Sequence, residues 1–453
     1  MQDLIARCSD ILAAVAAAGG QALIVGGAVR DALLGYTTSD IDLEVYGIEP
    51  APLRELLERH GHVEAVGRAF AVLKVRRADG SFVDIALPRA ESSSGRRGVV
   101  GGMPDMLPRD AAARRDFSCN ALALTADGEL LDFYGGVADL HAGVLRHVSP
   151  AFADDPLRVL RAMRLAARFN MQLAPATAEF CRTLVPRAAE LPLERIWGEW
   201  RQWSERGAYP AAGLRVLAAS GWLACYPQIQ ALDGCAQHHL YHPEGDVFVH
   251  TGLVCDAAAQ IATREQLNPE ARSILLFAAL CHDFGKPATT RLNDQGQWRS
   301  PGHAQAGAPL AAAFMAQIGS PARLTNTVVP LVREHMAHLM RHVTPRAVRR
   351  LAVRLAPASI SQWEHLLEAD FSGRPPCPPG RPGLPIAELA ATLHAASGPP
   401  APLVQGRDLL AVGFSGSPAL GRILRAAYGA QIDGVFDTTA AGVRWVQEQH
   451  PLQ

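Results

Sequence analysis

The chain has 453 residues, 49% of them hydrophobic and 19% charged, with a formal net charge of −1. That length suggests two to four ordinary globular domains, no apolar run is long enough to span a membrane, and near-neutral charge gives no hint of nucleic acid, so any RNA surface must be local. The eight cysteines include no C-x-x-C pair and indicate neither a zinc knuckle nor a disulfide framework; a reduced, cytoplasmic setting fits.

The N-terminal stretch MQDLIARCSDILAAVAAAGG carries acids and reads as an amphipathic helix, not a signal peptide. Leu23 to Val25 is a short apolar run ending in Gly26-Gly27, a buried strand closing in a tight turn. A helix starts near Ala28. The glycines, Gly27 among them, let backbone approach a ligand, and the free amides of the helix start favour an anion. Arg30, in that first turn, is placed to meet a phosphate. In Asp40-Ile41-Asp42-Leu43-Glu44-Val45 the alternation puts Asp40, Asp42 and Glu44 on one face of a strand and the apolar residues on the other. Asp40 and Asp42 beside a phosphate-binding turn suit a pair of magnesium ions, which take carboxylate and phosphate oxygens and can stabilise both the attacking and the leaving oxygen of a phosphoryl displacement. An exposed strand face after a tight turn is the plainer alternative.

The stretch VGGAVRD followed by a D-x-D strand resembles the catalytic head of the class II nucleotidyltransferases, the tRNA CCA-adding enzymes and bacterial poly(A) polymerases. Next in order, Pro52 to Arg59 reads as a helix, and Val66 to Val75 and Ser81 to Leu87 as strands joined at Ala78-Asp79-Gly80. Asp84 is a candidate third carboxylate, or a structural one. Pro88 to Gly102 is rich in Ser and Gly, a mobile loop; in the resembled family a flexible loop here helps the switch from C to A addition, which argues mildly against a relative adding only C. The segment ARRDFSCNALAL, Ala113 to Leu124, is similar to the family's R-R-D-F-T-x-N-A motif. The resemblance implies that Arg115 contacts nucleotide phosphate or ribose and that Asn120 braces the site. Ser118 replaces the usual Thr, and Asp110-Ala-Ala-Ala stands where the family has an acidic pair.

In FADDPLRVLRAMRLAARF, Phe152 to Phe169, Pro156 fits the first turn of a helix and Asp154 or Asp155 its cap. Arg158, Arg161, Arg164 and Arg168 run along one side, opposite an apolar face. A solvated basic stripe is the usual meaning; here the segment resembles the family's E-D-x-x-R motif, which reads the incoming base. Carboxylate only accepts and guanidinium only donates hydrogen bonds. Asp155 and Arg158 therefore fit the amine and ring nitrogen of C and A and leave mismatches with U and G. An intrahelical salt bridge between the two is a compatible reading. Arg161 and Arg164 match family positions that contact the nucleotide, and Asp154 departs from the usual Glu.

Ala174 to Leu223 reads as helical, with the charged, aromatic helix Leu191 to Trp203 resembling the family's neck; Glu194 and Arg195 are similar to a neck motif. Further on, His250, His282-Asp283, His303, His335 and Asp370 fall on successive helical segments. This ordered set resembles the HD metallophosphohydrolase superfamily, including the form fused to some bacterial CCA-adding enzymes. Imidazoles with carboxylates suit a divalent metal for phosphoester hydrolysis. Lys286 follows at a position where the superfamily often has Lys; it and Lys74 are the only lysines in the chain. Gly373 to Pro400 is rich in Pro and Gly, a linker or boundary. The tail from Val404 resembles the family's C-terminal segment.

The expected fold is a polymerase-β-like α/β head with a small mixed sheet, followed by a mostly α-helical neck, a body with an HD domain, and a tail. The expected boundaries are 1–148 for the head, 149–235 for the neck, 236–374 for the HD domain and 375–453 for the linker and tail. The resemblance implies addition of C, C and A to tRNA 3′ ends from CTP and ATP, with Mg2+ in the head. It also implies a second divalent metal in the HD domain, acting as a phosphatase or 2′,3′-cyclic phosphodiesterase on damaged RNA ends. A poly(A) polymerase or A-adding relative is the close alternative; an HD phosphohydrolase with an RNA-binding head is the alternative of another class.

Overall fold

The two-faced strand anticipated around Asp42 organises the first part of the molecule. The computed structural model describes residues 1–38, 40–66, 72–77, 79–88 and 103–451. Strand β1 (Gln21–Val25) pairs antiparallel with β2 (Ile41–Tyr46), which pairs parallel with β5 (Phe82–Ala86). With β3 (His62–Val66), β4 (Val72–Arg76), β6 (Ala123–Leu124) and β7 (Leu130–Leu131), these strands form a seven-stranded mixed sheet in the order β3-β4-β5-β2-β1-β6-β7. The expected strand Val66 to Val75 is thus two, β3 ending at Val66 and β4 beginning at Val72; the residues between them lie outside the described set. The hairpin at Asp79-Gly80 joins β4 to β5, with Gly80 at φ +83° and the Asp79 carboxylate accepting from the Ser81 amide at 2.8 Å. Ala78 and the expected mobile loop, from residue 89 to 102, lie outside the described residues.

Apolar periodicity decides how the sheet is covered. Helix α1 (Gln2–Ala17) buries Leu4, Cys8, Ile11, Leu12 and Val15 at its 3.6-residue spacing. They join Ile24, Ile41, Leu43 and Val45 of the sheet and Leu53 and Leu57 of the helix Pro50–Leu57 in one core. Leu23, Val25 and Tyr46 face the other way, into a smaller cluster with Ala111 and Ala123. The acidic residues of β2 share that second face, so the core on the first face sets their direction.

Two compact units divide the chain: Met1–Ala162 with Asn170–Glu190 and Ala219–Gly221, and Met163–Phe169 with Leu191–Ala218 and Trp222–Gln453. In the second, the helix Leu193–Arg206 buries Trp200 and Trp203. Their rings meet edge to face at 5.4 Å, and the Trp200 indole donates to the Tyr226 hydroxyl at 3.1 Å, which satisfies the buried N–H. The helices Val247–Arg264, Pro269–Cys281, His303–Gln317, Ala322–Glu334 and Ile360–Ser372 surround the HD residues. Their starts are capped by side chains: Asp246 accepts from Val249, Asn268 from Ala271, and Ser359 forms a capping box with Gln362. The Pro/Gly-rich stretch read as a linker holds a helix, Leu384–Thr392, with Ile386 and Ala390 buried. The tail helices enclose Leu409, Phe414, Ala427 and Val446, and Asp433 takes the guanidinium groups of Arg346 and Arg350.

Gly285 precedes the short helix Lys286–Thr289, and a Cβ there would overlap the His303 carbonyl oxygen and the Gly307 amide nitrogen. Gly198, within the helix Leu193–Arg206, has nothing within 4 Å of the same position. In thermal melts Gly285→Ala is expected to lower the unfolding midpoint of the helical unit by about 3–10 °C, and Gly198→Ala to leave it unchanged or raise it slightly.

Candidate functional site

In the first unit the register decides which acids meet. Val25, the last residue of β1, lies opposite Asp42, and Asp42 lies opposite Asp84 across the parallel pair β2/β5. Three features therefore converge: the glycine turn that follows Val25, the exposed carboxylates of Asp40 and Asp42, and Asp84. Asp42 opens to solvent, yet the protein around it, and then the like charge of Asp84, raise its carboxyl above the usual range, with Arg115 opposing. Lys74 Nζ stands 3.5 Å from Asp84 Oδ1. Acids held together this way, with Asp42 reluctant to ionise, fit a divalent cation.

Gly26 adopts φ +73°, a conformation that favours glycine, and a Cβ there would meet Arg115 Nη1 at 2.7 Å. Arg115 is fastened by Glu44 at 3.4 Å, and Glu44 also accepts from the Tyr46 hydroxyl at 2.9 Å. Arg30, expected at a phosphate, is instead buried: Nη1 donates to Asn120 Oδ1 at 2.5 Å and Nε to Asp31 Oδ1 at 2.9 Å. Asn120 in turn donates to Asp116 Oδ1 at 2.9 Å, and Arg161 Nε donates to Asp116 Oδ2 at 2.8 Å. Burial alone would raise the Asp116 carboxyl; Arg161 and Asn120 outweigh it and hold it down at about 2. Breaking one partner of such a buried chain costs about 3–5 kcal/mol.

The arginine helix spans Leu157–Phe169, after a 3-10 turn at Pro150–Asp154. Asp155 caps it, accepting from the Leu157 amide at 3.2 Å. Arg158 donates to the Ala151 and Arg114 carbonyls, each at 2.7 Å. Asp155, Arg158 and Arg161 belong to the first unit. Arg164 belongs to the second, where it pairs with Glu199 at 2.6 Å and donates to Gln202 at 3.0 Å. The partners Asp116 and Glu199 were not anticipated; Asp116 stands inside the quoted arginine motif, but Glu199 carries no spacing signal.

In the second unit the six HD residues converge. His282 Nδ1 lies 2.7 Å from the Ala279 carbonyl, His303 Nδ1 2.8 Å from that of Ser300, and His335 Nδ1 2.7 Å from that of Val332. A carbonyl only accepts, so each Nδ1 holds the proton and each Nε2 is left as a lone pair. His250 Nδ1 stands 2.7 Å from a Glu244 carboxylate oxygen, a close ion-pair contact. The four Nε2 atoms point inward. His250 Nε2 stands 3.2 Å from Asp370 Oδ1, His282 Nε2 3.1 Å from Asp283 Oδ2, and His303 Nε2 3.4 Å from Asp283 Oδ1 and 3.0 Å from His335 Nε2. His250 Nε2 and His282 Nε2 are buried without a sound hydrogen-bond partner among the described residues. Two imidazole nitrogens bound to one first-row metal at about 2.1 Å each lie about 3 Å apart, the His303–His335 spacing. Burial, with His303 and His282 beside it, pushes the His335 imidazole down to about 3. Burial would raise Asp283, but His282 and Lys286 hold its carboxyl well below the usual range. His335 is thus held as neutral imidazole and Asp283 as carboxylate, the forms that ligate divalent ions, whereas burial would lower His250 but the Asp370 and Glu244 carboxylates raise it.

One residue of this site, Glu244, was missed. Glu244 has a side chain only 1% exposed and binds His242 at 3.0 Å as well as His250. Burial would raise its carboxyl; the two imidazoles bring it down to about 2. Its signal was an acid in the turn just before the His250 helix. Lys286, noted for its place after His-Asp, contacts Asp283 at 2.7 Å and Gln237 at 2.6 Å. Asp283, Lys286, His303, His335 and Asp370 line a cavity of about 730 Å³.

Comparison with known proteins finds the poly A polymerase head domain over residues 22–146 and the HD domain over residues 247–364. A multifunctional CCA protein of Nitrosococcus oceani is 34% identical over 403 residues, 87% of this chain and 93% of the relative. One from Xanthomonas campestris pv. campestris is 37% identical over 420 residues, 89% and 96% of the two chains. Among solved structures, the fold is similar to that of the Bacillus stearothermophilus CCA-adding enzyme in complex with CTP, with a TM-score of 0.65 and 19% identity over 99% of this chain and 98% of that one. The Thermotoga maritima CCA-adding enzyme complexed with tRNA gives a TM-score of 0.60 at 18% identity, covering 99% and 98%.

Removing the carboxylate behind a ligating histidine weakens metal binding about 10- to 100-fold. In an Asp42→Ala background that silences the head, Glu244→Gln is expected to lower affinity for Mn2+ or Co2+ by that factor, measured by calorimetric titration.

Proposed function

The chain belongs to the multifunctional CCA protein family, and from that premise we propose that it adds C, C and A to the 3′ end of tRNA from CTP and ATP. The tRNA 3′-hydroxyl attacks the α-phosphate of the incoming nucleotide, and pyrophosphate leaves. The observation that carries the reading is the register that sets Asp42 against Val25 on one side and Asp84 on the other. It brings carboxylates to the glycine turn where a triphosphate would lie. Asp40 and Asp42, with Asp84 beside them, would hold Mg2+, which supplies electrostatic stabilisation of the reacting oxygens. Gly26 and Gly27 let the backbone approach the phosphates. Arg115, steadied by Glu44, supplies a fork of donors at the same turn. Arg30 acts through Asn120, bracing the segment that carries Arg115.

Base choice falls to Asp155 and Arg158. Asp155 offers acceptors to the N4 or N6 amine, and Arg158, pinned by two backbone carbonyls, offers donors to the neighbouring ring nitrogen. Arg161, held by Asp116, carries the reader's far side, and Arg164 steadies its own helical unit through Glu199. The four-part division of the chain is retained: the two family matches, 22–146 and 247–364, fall inside the proposed head and HD domains.

The second unit is a metal-dependent phosphohydrolase for phosphomonoesters and 2′,3′-cyclic phosphodiesters at RNA ends. His250, His282, Asp283, His303, His335 and Asp370 would hold its divalent metal, which supplies Lewis-acid chemistry. Glu244 fixes the tautomer of His250, and Lys286 places an ammonium at the cavity wall for a phosphate oxygen. No helix of the described residues is long and apolar enough to cross a membrane. The reading places the protein in the cytoplasm with tRNA and nucleoside triphosphates.

With a tRNA transcript ending at the discriminator base and Mg2+, CTP alone should add two nucleotides, and CTP with ATP three, read on a sequencing gel. A long ladder with ATP alone would identify poly(A) synthesis instead. Asp42→Ala should abolish incorporation; retained incorporation would remove Asp42 from the chemistry. Asp155→Ala should relax rejection of UTP and GTP at least about tenfold, from the few kcal/mol a mispaired buried acceptor costs; unchanged selectivity would sink the template.

A further inference from the structure

The HD cavity carries a feature that metal chemistry does not use. Between Lys286 and His303 the chain leaves the site, forms a short hairpin from Arg291–Leu292 and Trp298–Arg299, and returns. Both ends of the hairpin are therefore tied to the metal-site residues. The Asn293 carboxamide accepts from the amides of Gln295 and Gln297 at 3.0 and 2.9 Å and holds the turn. At its foot the Thr290 and Ser300 hydroxyls meet at 2.7 Å. The hairpin keeps Trp298 38% exposed. Across the cavity mouth Tyr241 is 55% exposed, backed by the His238 ring at 4.7 Å and with the Arg299 guanidinium 5.6 Å from its centre. Tyr241, Trp298 and Arg299 line the same cavity as Asp283 and His303.

Exposed tryptophan and tyrosine are costly to leave in water unless something covers them. Here they line the cavity that Asp283, His303, His335 and Asp370 also line, and the Arg299 guanidinium lies beside the Tyr241 ring. Flat π-faces with an interleaved arginine are the surface on which nucleobases stack, with little regard to which base. We propose that Tyr241, Trp298 and Arg299 form a stacking platform for the terminal nucleoside of the ester cleaved at the HD site. This rests on the phosphohydrolase reading and deepens it: the metal site takes the phosphate, and the platform makes the substrate a nucleotide end rather than any small phosphoester. Because the platform contacts base faces and not base edges, the site accepts all four terminal nucleosides.

The full-length protein loaded with Mn2+ or Ni2+ is assayed on a 2′,3′-cyclic mononucleotide and on glycerol 2-phosphate, which has no ring to stack. Trp298→Ala and the double variant with Tyr241→Ala should raise KM for the cyclic nucleotide at least about tenfold, the loss of one base–aromatic stack. Both constants for glycerol 2-phosphate should stay within about twofold, and Trp298→Phe should restore most of the nucleotide KM. Calorimetric binding of a nucleoside 3′-monophosphate gives a readout that needs no turnover, with about tenfold weaker binding expected in the double variant. Unchanged binding and KM, or equal losses on both esters, overturn the platform even where the wild type hydrolyses both. Weakened binding in the variant of a wild type that hydrolyses neither ester supports the platform and removes the phosphohydrolase reading instead.

Discussion

Acceptors gathered without matching donors are the constraint on which both units depend. In the head, three carboxylates share one face of two adjoining strands. In the HD site, four imidazole lone pairs and two carboxylates converge inside a largely buried pocket. Left to itself either group is unfavourable, because like charges repel and buried acceptors lack partners. The surrounding structure must hold each set in place and leave it in need of a positive charge.

The means differ between the two. In the head the force is the sheet: burying Ile41, Leu43 and Val45 against α1 turns Asp42 and Glu44 to the other side, and hydrogen-bond register does the rest. In the HD site the force is local. Each anchoring carbonyl lies three residues before its histidine, at Ala279, Ser300 and Val332. A helix end or turn supplies that carbonyl, fixes the tautomer, and so decides which nitrogen faces the centre of the cluster. The chain's two lysines each stand beside one of the gathered acids, Lys74 at Asp84 and Lys286 at Asp283. In a chain otherwise served by arginine, these are places where a compact ammonium fits beside a carboxylate without covering it.

The arginine helix shows a related economy. Its stripe read from sequence as one continuous basic face, but each guanidinium has a different attachment: Arg158 on backbone carbonyls, Arg161 on Asp116, Arg164 on Glu199. Long side chains fixed in this way have little rotamer freedom left to lose if a ligand engages them.

The sequence by itself carried the local patterns. The alternation at Asp40 to Val45 set the acidic face, the arginine spacing set the stripe, and the ordered His and Asp residues named the side chains that converge in the helical unit, since the first two are written in periods of two and of three to four residues and the third in the order of residues along the chain. Boundaries were less legible: β3 and β4 were merged because apolar residues continue between them in the sequence, and a helix inside the Pro/Gly-rich stretch was hidden by its composition. Tertiary structure alone decided that Arg30 turns inward to Asn120, that Asp84 lies opposite Asp42, that Glu244 stands behind His250, and that a hairpin brings Trp298 to the mouth of the HD cavity. The physical reason is common to all four. Each depends on a partner distant in the chain or on the direction of a turn, and a side chain's choice among partners is settled by burial and register, which no local period records.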